Sequence, residues 1–519
     1  MHRCLHLDEI LGLIFDHITI STYETKNALD GPTLLAFLKT CRSISVPAAA
    51  RLWRSLPSFA PLLLTMPENL VEIEEHGEQP FTPRTVTFRR DTLPGDWDRF
   101  DFYAPFVREI GVIGKNGRSM AKYLVLDEKI FRELKMRNGI LLSNLETTVI
   151  FSNDLPLTPL LLDSPVQRIQ FILHPAFIPT IIQIADECSC RATIRLKSLH
   201  INGSTSWAPI MKSLIAPAIS TLLSIVDVEE FVCNWYPLSG ETMERLIRMP
   251  RLRKLGIFQK IPSLAQLLAT SPIGEPRLQE VTIWTDFSSP SHLPQILANL
   301  KPSRLETFCH IYASASGRLS TESEIQGIIS AVQKYCSPKH LTQFSLETED
   351  VQFDVAPAAT IDIKILRPMF SFSKLRRLDL IDHPLDLNDD EVKELAQSWP
   401  MLEVLEVKAS FVENLEPKTT IRCLLWLAIY CRNLSSLSFV FNGTDTFSDE
   451  ELSMASGNPL SSLSVGCSTI SEPEKVSAFL TLVFPELSLL HWDDTPDAVL
   501  AGNPNRSEMW RQVEDGIQL

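Results

Sequence analysis

LRRLDL (residues 375–380) and LEVLEV (402–407) share one template, apolar-x-x-apolar-x-apolar, and the same six-residue pattern recurs through most of the chain. In order it reads VQRIQF from Val166, LKSLHI from Leu196, LSIVDV from Leu223, LRKLGI from Leu252 and LQEVTI from Leu278. LETFCH from Leu305, LTQFSL from Leu341, LSSLSF from Leu434, LSSLSV from Leu460 and LSLLHW from Leu487 complete the set of twelve. The eleven intervals from residue 166 to 487 average about 29 residues, a period expected of stacked supersecondary units. Apolar residues two apart at the fourth and sixth positions point to one face of a short strand.

Prolines sharpen the reading. Eight of the twelve hexapeptides carry one within the three preceding residues: Pro165, Pro250, Pro276, Pro302, Pro338, Pro400, Pro459 and Pro485. Proline there ends a helix and sets the chain into an extended segment. Helical patterns do precede them, as in EVKELAQSWP before Leu402 and TTIRCLLWLAIYC before Leu434. Each unit therefore reads as helix, stop, strand. VREIGV from Val107 and LETTVI from Leu145 read as degenerate early units, and RTVTF around Val86 as an edge strand.

These units resemble leucine-rich repeats of the irregular kind. The resemblance implies an α/β horseshoe, with strands on the inner face, helices outside and leucines between. The asparagine or cysteine ladder of regular repeats is nearly absent: Asn442 alone matches, while Lys260, Asp286, Ser410 and Ser468 stand at equivalent places, so the curve is expected to be uneven. Positions three, five and seven of the strands fall on the concave face. They include Lys254, Phe258, Glu280, Thr282, Trp284, Arg377, Asp379, Glu406, Lys408 and His491, whereas Trp492 alternates into the core. Aromatic and arginine side chains carry a large share of interface energy. Phe258, Trp284 and Arg377 are accordingly the expected target-binding residues.

The N-terminal stretch follows another period. Ile10, Leu11, Ile14, Phe15 and Ile18 form one wide apolar stripe at helical spacing, and Leu34, Leu35, Leu38 and Cys41 form a second. A third short helix offers Ala48, Leu52 and Trp53. So small a segment buries too little surface to stand alone and needs the rest of the chain or a partner. Glu9-Ile10-Leu11, Ile14-Phe15, Ile18, Thr40-Cys41-Arg42 and Leu52-Trp53-Arg54 match in order and spacing an F-box, which the segment resembles, although the usual early proline is replaced by Leu7-Asp8 and residues 21–32 lengthen the first connection. The resemblance implies an F-box-like domain over 1–56 that docks a Skp-type adaptor and, through it, a cullin scaffold. The adaptor-binding residues would be Ile10, Leu11, Ile14, Phe15, Ile18, Leu34, Leu35, Leu38, Cys41, Arg42, Leu52 and Trp53. The remaining boundaries are 57–165 for a linker with degenerate repeats, 166–495 for the repeat array and 496–519 for a C-terminal cap or tail.

At 519 residues the chain exceeds one ordinary core, and 45% hydrophobic against 21% charged residues is a globular composition. The net charge is −15; residues 1–60 hold six basic and five acidic residues, so the excess of acid lies in the body. Such a body disfavours nucleic acid and anionic lipid. Ten scattered cysteines without CxxC read as reduced thiols, and Asp8, Glu9 and Asp16 interrupt any leader peptide, which together point to the cytoplasm or nucleus. The longest apolar run, Ile421 to Cys431, is too short to cross a bilayer.

No catalytic motif stands out: GxSxG, GxxxxGK[ST] and HExxH are all missing. Gly111, Gly114 and Gly117 read as a plain turn, while Cys188/Cys190 and His2/Cys4/His6 lack the spacing of a metal site, so neither metal nor cofactor is expected. The acidic run Asp389-Asp390-Glu391 suits the first turn of a helix, and Glu347–Asp350 and Asp493–Asp494 suit solvated loops. The two resemblances together imply a non-enzymatic substrate-recognition subunit of a Skp–cullin–F-box ubiquitin ligase. The alternative is a non-degradative repeat scaffold or inhibitor whose N-terminal helices cap the array.

Overall fold

Apolar side chains at the first and fourth hexapeptide positions can be buried together only if each strand lies beside its neighbour with the helices on one side. The computed structural model has this arrangement. It describes residues 8–20, 28–75, 84–111, 124–137, 139–174, 178–188, 194–203, 209–259, 277–286, 293–300, 302–313, 321–349, 359–408, 417–443, 452, 454–493 and 506–517. The chain divides into two units, Met1–Val232 and Cys233–Leu519.

In the second unit nine strands run parallel in chain order: Lys254–Gln259, Glu280–Asp286, Thr307–Ala313, Gln343–Glu349, Arg377–Ile381, Val404–Lys408, Ser436–Ser438, Ser462–Ser464 and Leu489–His491. A helix between strands returns the chain to the same end, which makes neighbours parallel. Eight α-helices are described here: Gly240–Ile247, Leu293–Leu300, Glu322–Tyr335, Ile363–Leu366, Asp389–Ser398, Arg422–Tyr430, Pro473–Val483 and Arg506–Ile517. The register is uniform. Third positions pair with third positions from Lys254 through Glu280, Thr307, Gln343, Arg377, Val404, Ser436 and Ser462 to Leu489. First-position Leu252, Leu278, Leu305, Leu341, Leu375, Leu402, Leu434, Leu460 and Leu487 are all buried. Each contributes roughly 1.5–3 kcal/mol of burial.

Between units runs a repeated backbone contact. The second-position carbonyl accepts two amides, those of the second and third positions of the following unit. Arg253 O serves Gln279 and Glu280, Gln279 O serves Glu306 and Thr307, and the series continues through Thr342, Arg376, Glu403 and Ser435 to Ser461, at 2.7–3.2 Å.

In place of the missing asparagine ladder, individual side chains hold the helix ends. Trp399 Nε1 donates to Met369 O at 3.2 Å, and Cys431 Sγ to Trp399 O at 3.5 Å. Asn458 Nδ2 donates to Ala428 O at 3.1 Å and Cys431 O at 3.0 Å, while its Oδ1 accepts Leu460 N. Of the ladder positions, Ser468 performs the expected task, accepting Phe441 N at 2.9 Å; the Asn442 Oδ1 is buried with no hydrogen-bond partner among the described residues. On the core side, Thr285 Oγ1 meets His310 Nε2 at 3.1 Å, and His310 packs edge-on to Tyr312. Burial pushes the His310 imidazole down to about 3 and that of His383 to about 4, so both are neutral at pH 7. Asn388 and Thr321 form capping boxes with Glu391 and Glu324, and Asp389, Asp390 and Glu391 fill a first helical turn as expected. The last helix, Arg506–Ile517, is a cap: buried Trp510 donates to Ser468 O at 2.9 Å.

In the first unit the parallel strands are Ser55–Leu56, Glu109–Ile110, Thr147–Phe151, Arg168–Ile172 and Ile194–Asn202, followed by Val226–Pro237, whose last residues belong to the second unit. The early units at Val107 and Leu145 pair in this sheet, and WRSLPS (53–58) precedes them as its first unit: Ser55 pairs with Glu109 and Leu56 with Ile110, and Glu109 in turn with Thr147. The hexapeptide placed at Leu223 is displaced. Leu196 pairs with Val228 and Ser198 with Glu230, so VEEFVC, five residues on, is the unit in register. Leu223 instead ends a helix, Pro209–Ser224. RTVTF is not an edge strand of this sheet; Arg84–Phe88 is the central strand of a separate three-stranded sheet, between Val71–Glu75 and Leu124–Leu126. Gly111 has φ +77°, and a Cβ there would collide with the Val149 carbonyl, which explains this one glycine; Gly114 and Gly117 lie outside the described residues.

Asn458→Ala removes a buried partner from the Ala428 carbonyl and the Leu460 amide, at about 1–3 kcal/mol per group, while the Cys431 carbonyl keeps the Leu434 amide. Urea unfolding should lose about 2 kcal/mol or more, whereas the exposed Ser461→Ala should lose less than about 1 kcal/mol. Equal losses would show that Asn458 has no special part in joining the units.

Candidate protein-docking surfaces

Three helices precede Ser55–Leu56, the first strand of the large sheet: α1 (Asp8–Asp16), α2 (Gly31–Leu38) and α3 (Arg42–Leu52), with a two-stranded antiparallel pair, Thr19–Ile20 and Ala28–Leu29, between α1 and α2. Asp30 caps α2 by accepting Thr33 N at 3.1 Å, with Pro32 in the first turn. Leu11, Phe15, Leu34, Ile44 and Ala48 form the core of this segment, with Ile18, Phe37, Leu38 and Leu52 packed against it. Phe15 and Phe37 sit with ring centroids 5.4 Å apart, and Arg51 pairs with Asp16 at 2.9 Å.

The expected adaptor contacts thus separate into two groups. Leu11, Phe15 and Leu34 face inward and are spent on the segment's own core. Ile14 (41% exposed) and Leu35 (44%) face solvent, joined by Leu13 (63%) and Val46 (48%), which the sequence reading passed over. Ile10, Ile18, Leu38, Leu52 and Trp53 are half-buried, Cys41 is exposed, and Arg42 opens α3. Trp53 has a further partner. It stacks on Tyr103 with centroids 4.4 Å apart, as the first residue of the first sheet unit. Tyr103, Phe102 and Phe106 continue the aromatic contacts at 5.0 and 5.8 Å, with Phe102 exposed. Immediately after Trp53, the Arg54 carbonyl accepts the amides of Arg108 and Glu109, both at 2.9 Å. The helical segment passes into the sheet with no linker.

The second surface is the strand face at positions three, five and seven. Phe258, Trp284 and Ile311 are directly opposed across adjacent strands. Phe258, however, is only 2% exposed, and Trp284 is half-buried, so the aromatic part of the expected target site is lower than an open anchor would be. The correction is one of depth: alternation assigned the face and left burial undetermined. Arg377 is part-exposed, and on two earlier strands Lys254 pairs with Glu280 at 3.2 Å. Trp492, expected in the core, is half-buried, and His491 is exposed. Lys260, Ser410, Cys190 and Asp494 lie outside the described residues. Among the described residues no group of His, Cys, Asp or Glu is arranged to hold a metal ion, and no helix is long and apolar enough to cross a membrane.

No protein-family model matches the sequence, and no curated protein matches it. Among solved structures the chain is similar to an internalin from Listeria monocytogenes (14% identity, TM-score 0.32, covering 68% of this chain and 82% of that one). It is also similar to the Rad7 and Elc1 complex of yeast (13% identity, TM-score 0.37, covering 70% and 82%). Likenesses this distant carry no argument about function.

Cys41 stands out chemically. Its Sγ lies 3.2 Å from Ser43 Oγ at the start of α3, and that hydrogen bond, with the Ile44 amide, holds the thiol below its ordinary range. Burial pushes Cys309, Cys336 and Cys431 up to about 12. Alkylation with iodoacetamide near pH 7.5, followed by peptide mapping, should modify Cys41 first among these four. Faster labelling of Cys336 or Cys431 would contradict the packing of the helix ends.

Proposed function

We propose that this chain is the substrate-recognition subunit of a Skp–cullin–F-box ubiquitin ligase, docking the Skp-type adaptor through α1–α3 and a target protein on the strand face. The observation that carries the reading is apolar surplus. The three helices already have a filled core, yet Leu13, Ile14, Leu35 and Val46 are left in water. Covering such side chains is worth roughly 1.5–3 kcal/mol each, enough in combination to drive association after its entropic cost. The F-box-like order of Ile10, Leu11, Ile14, Phe15, Cys41 and Trp53 supports an adaptor as the covering partner.

In this reading the chain contributes no nucleophile, acid or base. It raises the effective concentration of a target lysine near a ubiquitin-charged enzyme carried by the cullin scaffold. The direct passage from helices to sheet at Trp53–Arg54 supports this role, since the adaptor-binding helices then join the strands of the first unit without an intervening flexible tether. The cytoplasm or nucleus is the setting, in keeping with free cysteines among the described residues.

The same junction favours a second reading, a non-degradative scaffold. The helices lead directly into the edge strand of the sheet, Ser55–Leu56, and an edge strand needs protection whatever else the segment does.

Co-purification with a recombinant Skp-type adaptor separates the two. Wild-type protein should be captured at micromolar concentration, and the exposed-site pair Ile14→Glu with Leu35→Glu should lose capture with its melting temperature unchanged. Phe15→Ala, in the segment core, should cost about 3–5 kcal/mol of stability instead. A wild-type chain that fails to bind the adaptor leaves the scaffold reading.

A further inference from the structure

Three adjacent strands, Gln343–Glu349, Arg377–Ile381 and Val404–Lys408, bring charged residues together on the face that a target protein would meet. Ser345 is opposite Asp379, and Asp379 is opposite Glu406. Arg377 Nε donates to Asp379 Oδ2 at 2.6 Å, and its Nη2 is 3.4 Å from Glu406 Oε1. Lys408 Nζ reaches Glu406 Oε2 at 3.0 Å, and Glu347 accepts Ser345 Oγ at 2.6 Å and Cys309 Sγ at 3.8 Å. Three carboxylates thus face two cations.

Asp379 is the unusual member. It is 6% exposed, and its Oδ1 is buried with no hydrogen-bond partner among the described residues. A carboxylate removed from water with half of its acceptor capacity unused carries an uncompensated desolvation cost. Burial pushes its carboxyl up from the ordinary aspartate range, against the opposing pull of the Arg377 guanidinium. That guanidinium lies on the other oxygen, on a long side chain that is itself 39% exposed. It has solvent to swing into, and its departure leaves an acidic recess.

We propose that Glu347, Asp379 and Glu406 form a subsite for a lysine or arginine side chain of the bound partner protein, with Arg377 as the resident cation that the partner's cation displaces. The proposal rests on the reading of the strand face as a target-binding surface. Replacing one cation by another conserves the charge-assisted hydrogen bonds, so entry is inexpensive for a basic side chain. A neutral side chain would leave the buried Asp379 without a cation, and Glu406 with Lys408 alone, and is rejected. A basic partner segment also suits a chain of net charge −15.

Arg377 is thereby assigned the opposite sign from a residue that itself grips the target. The probes are fluorescent peptides of four Gly-Ser-Lys or four Gly-Ser-Arg repeats, with a Gly-Ser-Gln control, titrated against the full chain at about 0.15 M salt. Arg377→Ala should tighten binding of a basic peptide about tenfold, and Asp379→Asn or Glu406→Gln should weaken it about tenfold. Glu508→Gln on the C-terminal helix should leave it unchanged. Melting temperatures accompany each variant, and Glu406→Gln reads the same site if Asp379→Asn fails to fold. The Lys and Arg arms identify the preferred cation. Weaker or unchanged binding in a folded Arg377→Ala chain, or no binding of either basic peptide by wild type and Arg377→Ala alike, overturns the proposal. Adaptor capture is a separate readout: its failure sinks the ligase reading and leaves the peptide result standing.

Discussion

One carbonyl per unit, shared between two amides of the next, is the contact on which the arrangement depends. From Arg253 to Ser461 the second hexapeptide position repeats it, and Arg54, Arg108, Glu146 and Gln167 repeat it in the first unit. Because the acceptor is backbone, the contact tolerates Arg, Glu, Gln, Thr and Ser in turn. It fixes the register of each strand by its predecessor, and the buried leucine on one side of it fixes which face is inward. Sequence variation is thereby released to the helices and to the strand face. The same contact at Arg54 draws the N-terminal helices into the array, so Trp53 serves two structures at once.

Regular repeats satisfy their turns with one recurrent side chain; this protein uses a different device at each place. Trp399, Cys431 and Asn458 tie successive helix ends through an indole, a thiol and an amide. Ser468 holds one turn with a hydroxyl, and Thr285 with His310 forms a buried polar pair elsewhere. Each solution is local, satisfying the buried groups that its neighbours expose. Irregular spacing of the units follows, because no single side-chain length has to be matched throughout.

This distribution also explains what was legible in the sequence. Apolar residues at the first, fourth and sixth positions answer to one requirement, burial beneath the sheet, so Leu252 to Leu487 could be read directly. WRSLPS could not, because Ser58 stands where the template wants an apolar residue and only pairing with Glu109 and Ile110 reveals the unit. The stretch LSIVDVEEFVC contains two overlapping matches, and alternation has no means to prefer the one that pairs with Leu196. Arg84–Phe88 has the alternation of a sheet strand, but its antiparallel partner is set by packing. At the docking surfaces, helical stripes identified the right residues and failed to divide them: Leu11, Phe15 and Leu34 pack inward while Ile14 and Leu35 do not. Phe258 fails in the same way, being on the expected face and too deep. The Asp379 recess had no sequence signal beyond its fifth position; it arises from the register that sets Arg377, Asp379 and Glu406 together.

The central claim is that the N-terminal helices and the first strands of the unit Met1–Val232 are continuous, so that the helices are held by the sheet they lead into. Hydrogen exchange at single-amide resolution tests this most directly. The amides of Arg108 and Glu109, which bond to Arg54, are predicted to exchange as slowly as those of Glu146 and Thr147, which bond to Arg108 within the same unit. Exchange of Arg108 and Glu109 at open-chain rates, with Glu146 and Thr147 still protected, would mean that the helices hang free of the array and would contradict the account.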